Sequence, residues 1–145
     1  VLVIRDHIDL SDLGPWFTTA QVDLDRALTA TGSTSAGPLG GLWSTELFLD
    51  ESGDVALFRP VEPHPVEPHR QTVQAGRVQY EVLPATMLAV ATHSGPDATI
   101  GQVHADLGRH VAQHEVSVAG PIRESYVAGV PGGDGVTEIG WPIRA

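Results

Sequence analysis

The sequence predicts an α+β fold: two strand-helix-strand-strand units in tandem, pseudo-twofold related, with mostly antiparallel sheet pairing and helices on one face. Three observations carry this. Landmarks repeat in order: Gly14-Pro15 returns as Gly95-Pro96, Gly37-Pro38 as Gly120-Pro121, Glu46 as Glu124 and Pro60 as Pro142. Apolar residues recur at three-and-four spacing twice, as Phe17, Ala20, Leu24, Ala27 and Leu28 after Trp16, and as Ile100, Val103, Leu107 and Val111. Short β-branched runs bounded by Gly, Pro and Asp lie around both helical stretches. The repeat is too long for a solenoid unit and too short for two independent domains, so each half is expected to need the other to close one core.

Taken in order, Val1 to Ile4 reads as a strand broken by Asp9-Leu10-Ser11-Asp12. A helix follows from Trp16, with Thr18 or Thr19 as its cap, and ends before Gly32. Leu42 to Leu49 and Val55 to Phe58 read as a hairpin around Asp50 to Asp54. The stretch 61–76 holds Val-Glu-Pro-His twice, and its prolines favour an extended connector. Arg77 to Leu83 and Thr86 to Thr92 are expected as strands around Pro84, before the second helix. Ile122 to Val127 and Val136 to Ile143 close the chain as strands, joined by the turn Pro131 to Gly135. Repeat one thus covers about 1–60 and repeat two about 77–145 of a single domain, 1–145.

Composition limits the function. A length of 145 residues with 41% hydrophobic and 18% charged content suits one globular domain with a real core. The formal charge of −10 repels phosphate backbones, so no direct nucleic-acid contact is expected of this chain, and cations are favoured. Every basic residue is arginine. Cysteine is absent, which excludes disulfides and thiolate metal sites and is compatible with the cytoplasm, the expected location. No run approaches a membrane span and no leader pattern opens the chain, so no membrane partner is expected. The first residue, Val1, suggests a fragment of a longer protein.

Alternate side chains of a strand share a face. This groups Glu124 with Tyr126 and, in the expected first-half strand, Glu46 with Phe48. An acid beside an aromatic on each of two related strands suits an aromatic or cationic ligand: the carboxylate supplies charge, and each ring adds roughly 0.5 to 2 kcal/mol of cation–π attraction. A solvated sheet face is the commoner fate of such glutamates. Trp16, Trp43 and Trp141 stand near the repeated landmarks and are candidate walls, with core packing as the alternative. His110 and His114 are spaced to chelate zinc, but the His-Glu-x-x-His pattern is absent, and His104, His110 and His114 are read as a solvated helix face. No metal and no cofactor are expected, and no phosphate loop or serine-hydrolase elbow occurs.

With these residues placed, the second half resembles the GyrI-like, or effector-binding, family. The resemblance runs through Leu83-Pro84-Ala85, Ala89 to His93 with Ser94-Gly95-Pro96, and the helix ending near Val111. It continues through Gly120-Pro121, Glu124-Ser125-Tyr126 and the last strand with Pro142. The first half is similar as a more divergent copy. The resemblance implies a tandem-repeat fold with a ligand cleft between the halves, occurring as the drug-sensing C-terminal domain of MerR- and AraC-type regulators and as stand-alone proteins. It implies that Glu124, beside Tyr126, is the anionic residue for lipophilic cations. Phe48 lacks the hydroxyl of Tyr126 and departs from the pattern. The expected function is therefore small-molecule effector binding, with an attached or separate DNA-binding domain as partner. Stand-alone relatives that hydrolyse reactive electrophiles make a second expectation, in which Glu124 activates water and Tyr126 donates a proton. An acidic, protein-binding inhibitor is the third.

Overall fold

Two stretches of backbone pairing organise the chain. The computed structural model describes residues 1–63, 77–129 and 134–145. It divides into two compact units, Val1–Leu83 and Pro84–Ala145. The proline-histidine connector lies largely outside the described residues, as does most of the Pro131 to Gly135 turn.

In the first unit, β1 (Leu2–Asp9) leads through a short 3-10 turn into α1 (Leu13–Thr31), followed by β2 (Gly40–Trp43), α2 (Thr45–Leu49), β3 (Ser52–Arg59) and β4 (Gln79–Tyr80). Their order across the sheet is β4-β1-β3-β2, and each of these pairings is antiparallel. Strand β1 outruns the expected Val1 to Ile4 because Arg5 to Asp9 pair fully with β3. Helix α1 begins three residues before Trp16 and takes Gly14-Pro15 into its first turn, where a proline loses no helical hydrogen bond. Asp12 holds the cap position, so Thr18 does not cap; its hydroxyl donates instead to the Gly14 carbonyl. Trp16, Ala20, Leu24 and Ala27 form the buried stripe of α1 against β1 and β3. A leucine so buried contributes about 1.5–3 kcal/mol.

The expected hairpin is corrected. Strand β2 stops at Trp43, and Thr45–Leu49 turns as the short helix α2 before β3 pairs back on β2. Ser44 at the cap position and Glu46 in the first turn suit a helix start, a signal hidden by the polar–apolar alternation of the run. Residues 77–83 also differ from expectation. They return to the first unit, where only Gln79-Tyr80 form ladder pairs, with Leu2 and Val3.

The second unit follows the expected order: β5 (Leu88–Gly95), α3 (Ile100–His114), β6 (Ile122–Gly129) and β7 (Gly135–Pro142). Strand β5 starts two residues later than read, since 86–87 have no strand pairing. Its sheet order is β6-β7-β5, again antiparallel. Helix α3 packs on β5 and β7. Leu107, Val111, Ile122 and Ile139 are its buried core, joined by Ala89, Ala91, Ile100, Val103, Trp141 and Ile143. Gly108 makes that approach possible, because a Cβ there would lie 3.2 Å from the Trp141 ring. Among the described residues no helix is long and apolar enough to cross a membrane.

Two ion pairs tie 77–83 to β1, Arg77 with Asp6 and Arg5 with Glu81. Arg5 donates from Nε and Nη2 to the two carboxylate oxygens of Glu81. Hydrogen bonding and charge from Arg5 hold the Glu81 carboxyl below the usual carboxylate range. A depressed folded pKa means that the pair's stabilisation is present above the unfolded carboxyl pKa, about 4.3, and is lost as pH falls through the lower folded value. Glu81→Gln is therefore expected to lower stability at pH 7 by about 0.2–1 kcal/mol, as for a half-exposed pair. The difference from wild type is expected to vanish once Glu81 is protonated, as read by urea midpoints measured from pH 7 down to pH 2.5.

Candidate functional site

In the second unit, strand alternation and register determine which side chains lie under α3. Glu124 pairs with Ile139 and Tyr126 with Thr137 across β6 and β7, while Ala91 pairs with Ile139 and His93 with Thr137 across β5 and β7. The covered face therefore carries the row Ala91–Ile139–Glu124 beside the row His93–Thr137–Tyr126. Glu124 is only 8% exposed. Burial at that level is costly for a carboxylate unless donors replace its water.

Two side chains supply those donors. The Tyr126 hydroxyl donates to Glu124 Oε2 at 2.7 Å, from two residues along the same strand face. His104 Nε2 lies 2.8 Å from Oε1. An ionised carboxylate can only accept, so Nε2 carries the proton in this contact. Hydrogen bonds to a charged group are worth about 1.5–3 kcal/mol each, enough to hold an anion beside the apolar cluster of Leu107, Val111, Ile122 and Ile139. With neutral His104 the cluster keeps one negative charge.

His104 is the residue that sequence reading misplaced. It sits on α3 at four residues after Ile100 and three before Leu107, so it flanks the apolar stripe and points toward β6. That shoulder position is visible in the sequence; its partner twenty residues away is not. His110 and His114 do stack with ring centroids 4.8 Å apart on exposed residues of the same helix. Among the described residues, no three His, Cys, Asp or Glu side chains group closely enough to hold a metal ion. His93 is buried as well, with Nε2 2.6 Å from the Thr99 hydroxyl, which donates to the Pro96 carbonyl.

The first unit does not repeat this site. Glu46 and Phe48 lie on α2, not on a strand, and both are exposed, while Leu47 between them is buried. A helix places neighbours two apart on different sides, so the expected acid–aromatic pair of the first half is absent. Strand register identifies the true counterparts. Gly41 pairs with Leu57 as Glu124 pairs with Ile139, and Trp43 pairs with Val55 as Tyr126 pairs with Thr137. Gly37-Pro38 and Gly120-Pro121 precede these positions by the same number of residues. In place of the glutamate there is a glycine, and the indole of Trp43 folds over it.

That indole is the centre of an aromatic cluster. Trp16 meets Trp43 edge-on at 6.2 Å, and Phe17 stacks on it at 6.3 Å. Trp16 Nε1 donates to Asp6 Oδ2, and the Arg77 guanidinium donates to the same oxygen and lies over the Trp16 ring. Trp16 and Trp43 are thus buried packing of the first unit. Trp141 packs with Leu107 and Ile139 in the second unit and donates from Nε1 to the Ser117 hydroxyl.

The C-terminal domain of EcmrR matches with a TM-score of 0.77 at 18% identity, over 99% of this chain and 90% of that one. In the EcmrR–DNA complex the TM-score is 0.76 at 17% identity, and this chain spans about half, 53%, of the EcmrR chain. SAV2435 bound to tetraphenylphosphonium matches with a TM-score of 0.66 at 13% identity, over 99% of this chain and 87% of that one. A hydrolase from Listeria innocua matches at 0.62 and 12% identity, covering 99% and 86%. Neither a family model nor a curated protein sequence matches the chain. The likeness shows the fold: the chain has the GyrI-like α+β architecture that its motifs resemble.

Gly41 gives a direct test of the divergence between the copies. A Cβ there would stand 2.4 Å from Trp43 Cζ2, with Trp16 and Phe17 blocking the ring's retreat. Gly41→Ala is expected to lower stability by about 1–3 kcal/mol through overpacking, measured as a shift of the urea midpoint at constant m.

Proposed function

We propose that this chain is a small-molecule effector-binding domain whose ligands are lipophilic, aromatic or cationic, and that it is the sensor part of a transcription regulator acting in the cytoplasm. The single observation that carries the reading is the Glu124 carboxylate, buried and held by Tyr126 and His104 on the helix-covered face of the second unit. An anion that has lost most of its water, with both oxygens already hydrogen-bonded, attracts a diffuse cation through space and gains little from a small hydrated ion. The aromatic ring of Tyr126 beside it adds cation–π attraction. Support comes from SAV2435, which has this fold and is bound to tetraphenylphosphonium, and from EcmrR, whose C-terminal domain has it and whose longer chain is found on DNA.

On this reading a separate or attached DNA-binding domain makes the nucleic-acid contacts. The acidic effector domain reports occupancy to it by a ligand-dependent shift between packing states. Glu124 and Tyr126 are the ligand-binding residues, with His104 added to them. Glu46, Phe48, Trp16 and Trp43 drop out, because the first two sit on an exposed helix and the others fill the first unit's core.

Thermal unfolding with tetraphenylphosphonium tests this. The cation is expected to raise the midpoint of wild type in a concentration-dependent way. Glu124→Gln keeps the size of the side chain and removes its charge, so it is expected to weaken binding about tenfold or more. Equal behaviour of wild type and Glu124→Gln, with no stabilisation of either, would sink the reading.

A further inference from the structure

We propose that His104 is a specificity-determining residue of this site: it is the resident counter-charge of Glu124, so that a lipophilic cation binds in exchange for a proton. The inference rests on the effector-binding reading and goes beyond it, since it assigns a role to a residue of α3 that the acid–aromatic pattern does not include.

The geometry points to competition for one charge. His104 Nε2 is 2.8 Å from Glu124 Oε1, and both side chains are largely buried. Neutral His104 donates Nε2–H to the carboxylate and leaves the Glu124–His104–Tyr126 cluster with one negative charge, which a cationic ligand can balance. Protonated His104 makes an ion pair with the same carboxylate, and the cluster is then neutral. A cation arriving at the neutral cluster finds its electrostatic partner already taken. Binding of the cation and protonation of His104 are therefore mutually antagonistic, and linkage makes the antagonism reciprocal. Uncharged aromatic ligands escape it, so pH selects between the two ligand classes.

Among the described residues, the titratable groups on the elements around His104 are these. On β6, Glu124 is hydrogen-bonded to it and Tyr126, bonded to the same carboxylate, shares that face. On β5 the titratable residue of the covered face is His93, whose Nε2 is engaged with Thr99 of the turn before α3. The β7 residues on that face, Thr137, Ile139 and Trp141, carry no charge, and Glu138 faces the other way by alternation. On α3 itself, Asp106 pairs with Arg109, and these two and His110 are exposed.

Calorimetric titration of the whole chain with tetraphenylphosphonium chloride between pH 5 and 8.5, in two buffers of different ionisation enthalpy, tests the exchange. The cation itself does not titrate. Affinity is expected to rise with pH by up to about tenfold per unit, as one exchanged proton requires, and then to level off. On the acid side of that rise, close to one proton is expected to be released per cation bound. His104→Gln, which keeps a donor but cannot ionise, is expected to bind with an affinity flat in pH and with no proton release. Cation binding by wild type that is flat in pH, with no proton released, overturns this inference and leaves the effector-binding reading standing. Full pH dependence retained in His104→Gln, or in His104→Asn should the first variant fold poorly, also overturns it and moves the role to His93. No binding by wild type at any pH, with Glu124→Gln indistinguishable, overturns the effector-binding reading and this inference with it.

Discussion

A helix laid on antiparallel strands forces every second strand residue into a layer that water scarcely reaches. Each side chain in that layer must either pack or find hydrogen-bond partners, because an unpartnered polar group there costs several times what an exposed one does. In the unit Pro84–Ala145, that constraint explains both the apolar cluster around Leu107, Val111, Ile122 and Ile139 and the buried Glu124 set beside it. Glu124 is tolerated because Tyr126, on its own strand, and His104, on the covering helix, each hand it a proton donor.

The same constraint met a different sequence in Val1–Leu83. The slot that carries Glu124 in one copy carries Gly41 in the other, and the room left by the missing side chain is taken by the ring of Trp43. Trp16 and Phe17 complete the packing, and the polar edge of the cluster is closed by Asp6 and Arg77. Duplication of the scaffold therefore did not duplicate the charge. One copy solved the covered layer with aromatic area and the other with a hydrogen-bonded anion, which is why fold likeness alone, to a drug-bound protein and to a hydrolase alike, says less about function than the occupants of one strand slot.

Much of the architecture was legible from local pattern. The stripes of α1 and α3, the β-branched strands and the Gly-Pro landmarks each report a physical preference expressed within a few residues, and the observed elements follow them closely. The failures share one cause. Thr45–Leu49 alternates like a strand yet is a helix, since five residues are too few for periodicity to separate the two, and Ser44 with Glu46 was the better signal. Residues 77–83 follow the connector and so read with the second copy, but Gln79 and Tyr80 pair with β1. Proximity in sequence is a weak guide to which strand edge a short segment joins.

By itself the sequence determined the fold class, the acidic charge, the duplication and the pairing of Glu124 with Tyr126, because strand alternation places residues two apart on one face without reference to anything distant. Only the tertiary structure decided that this face is the covered one, that His104 reaches it, and that Glu46 and Phe48 do not form its counterpart. Those facts depend on which helix lies over which strands and in what register, and such long-range choices are made by burial of the whole apolar layer rather than by any local run of residues.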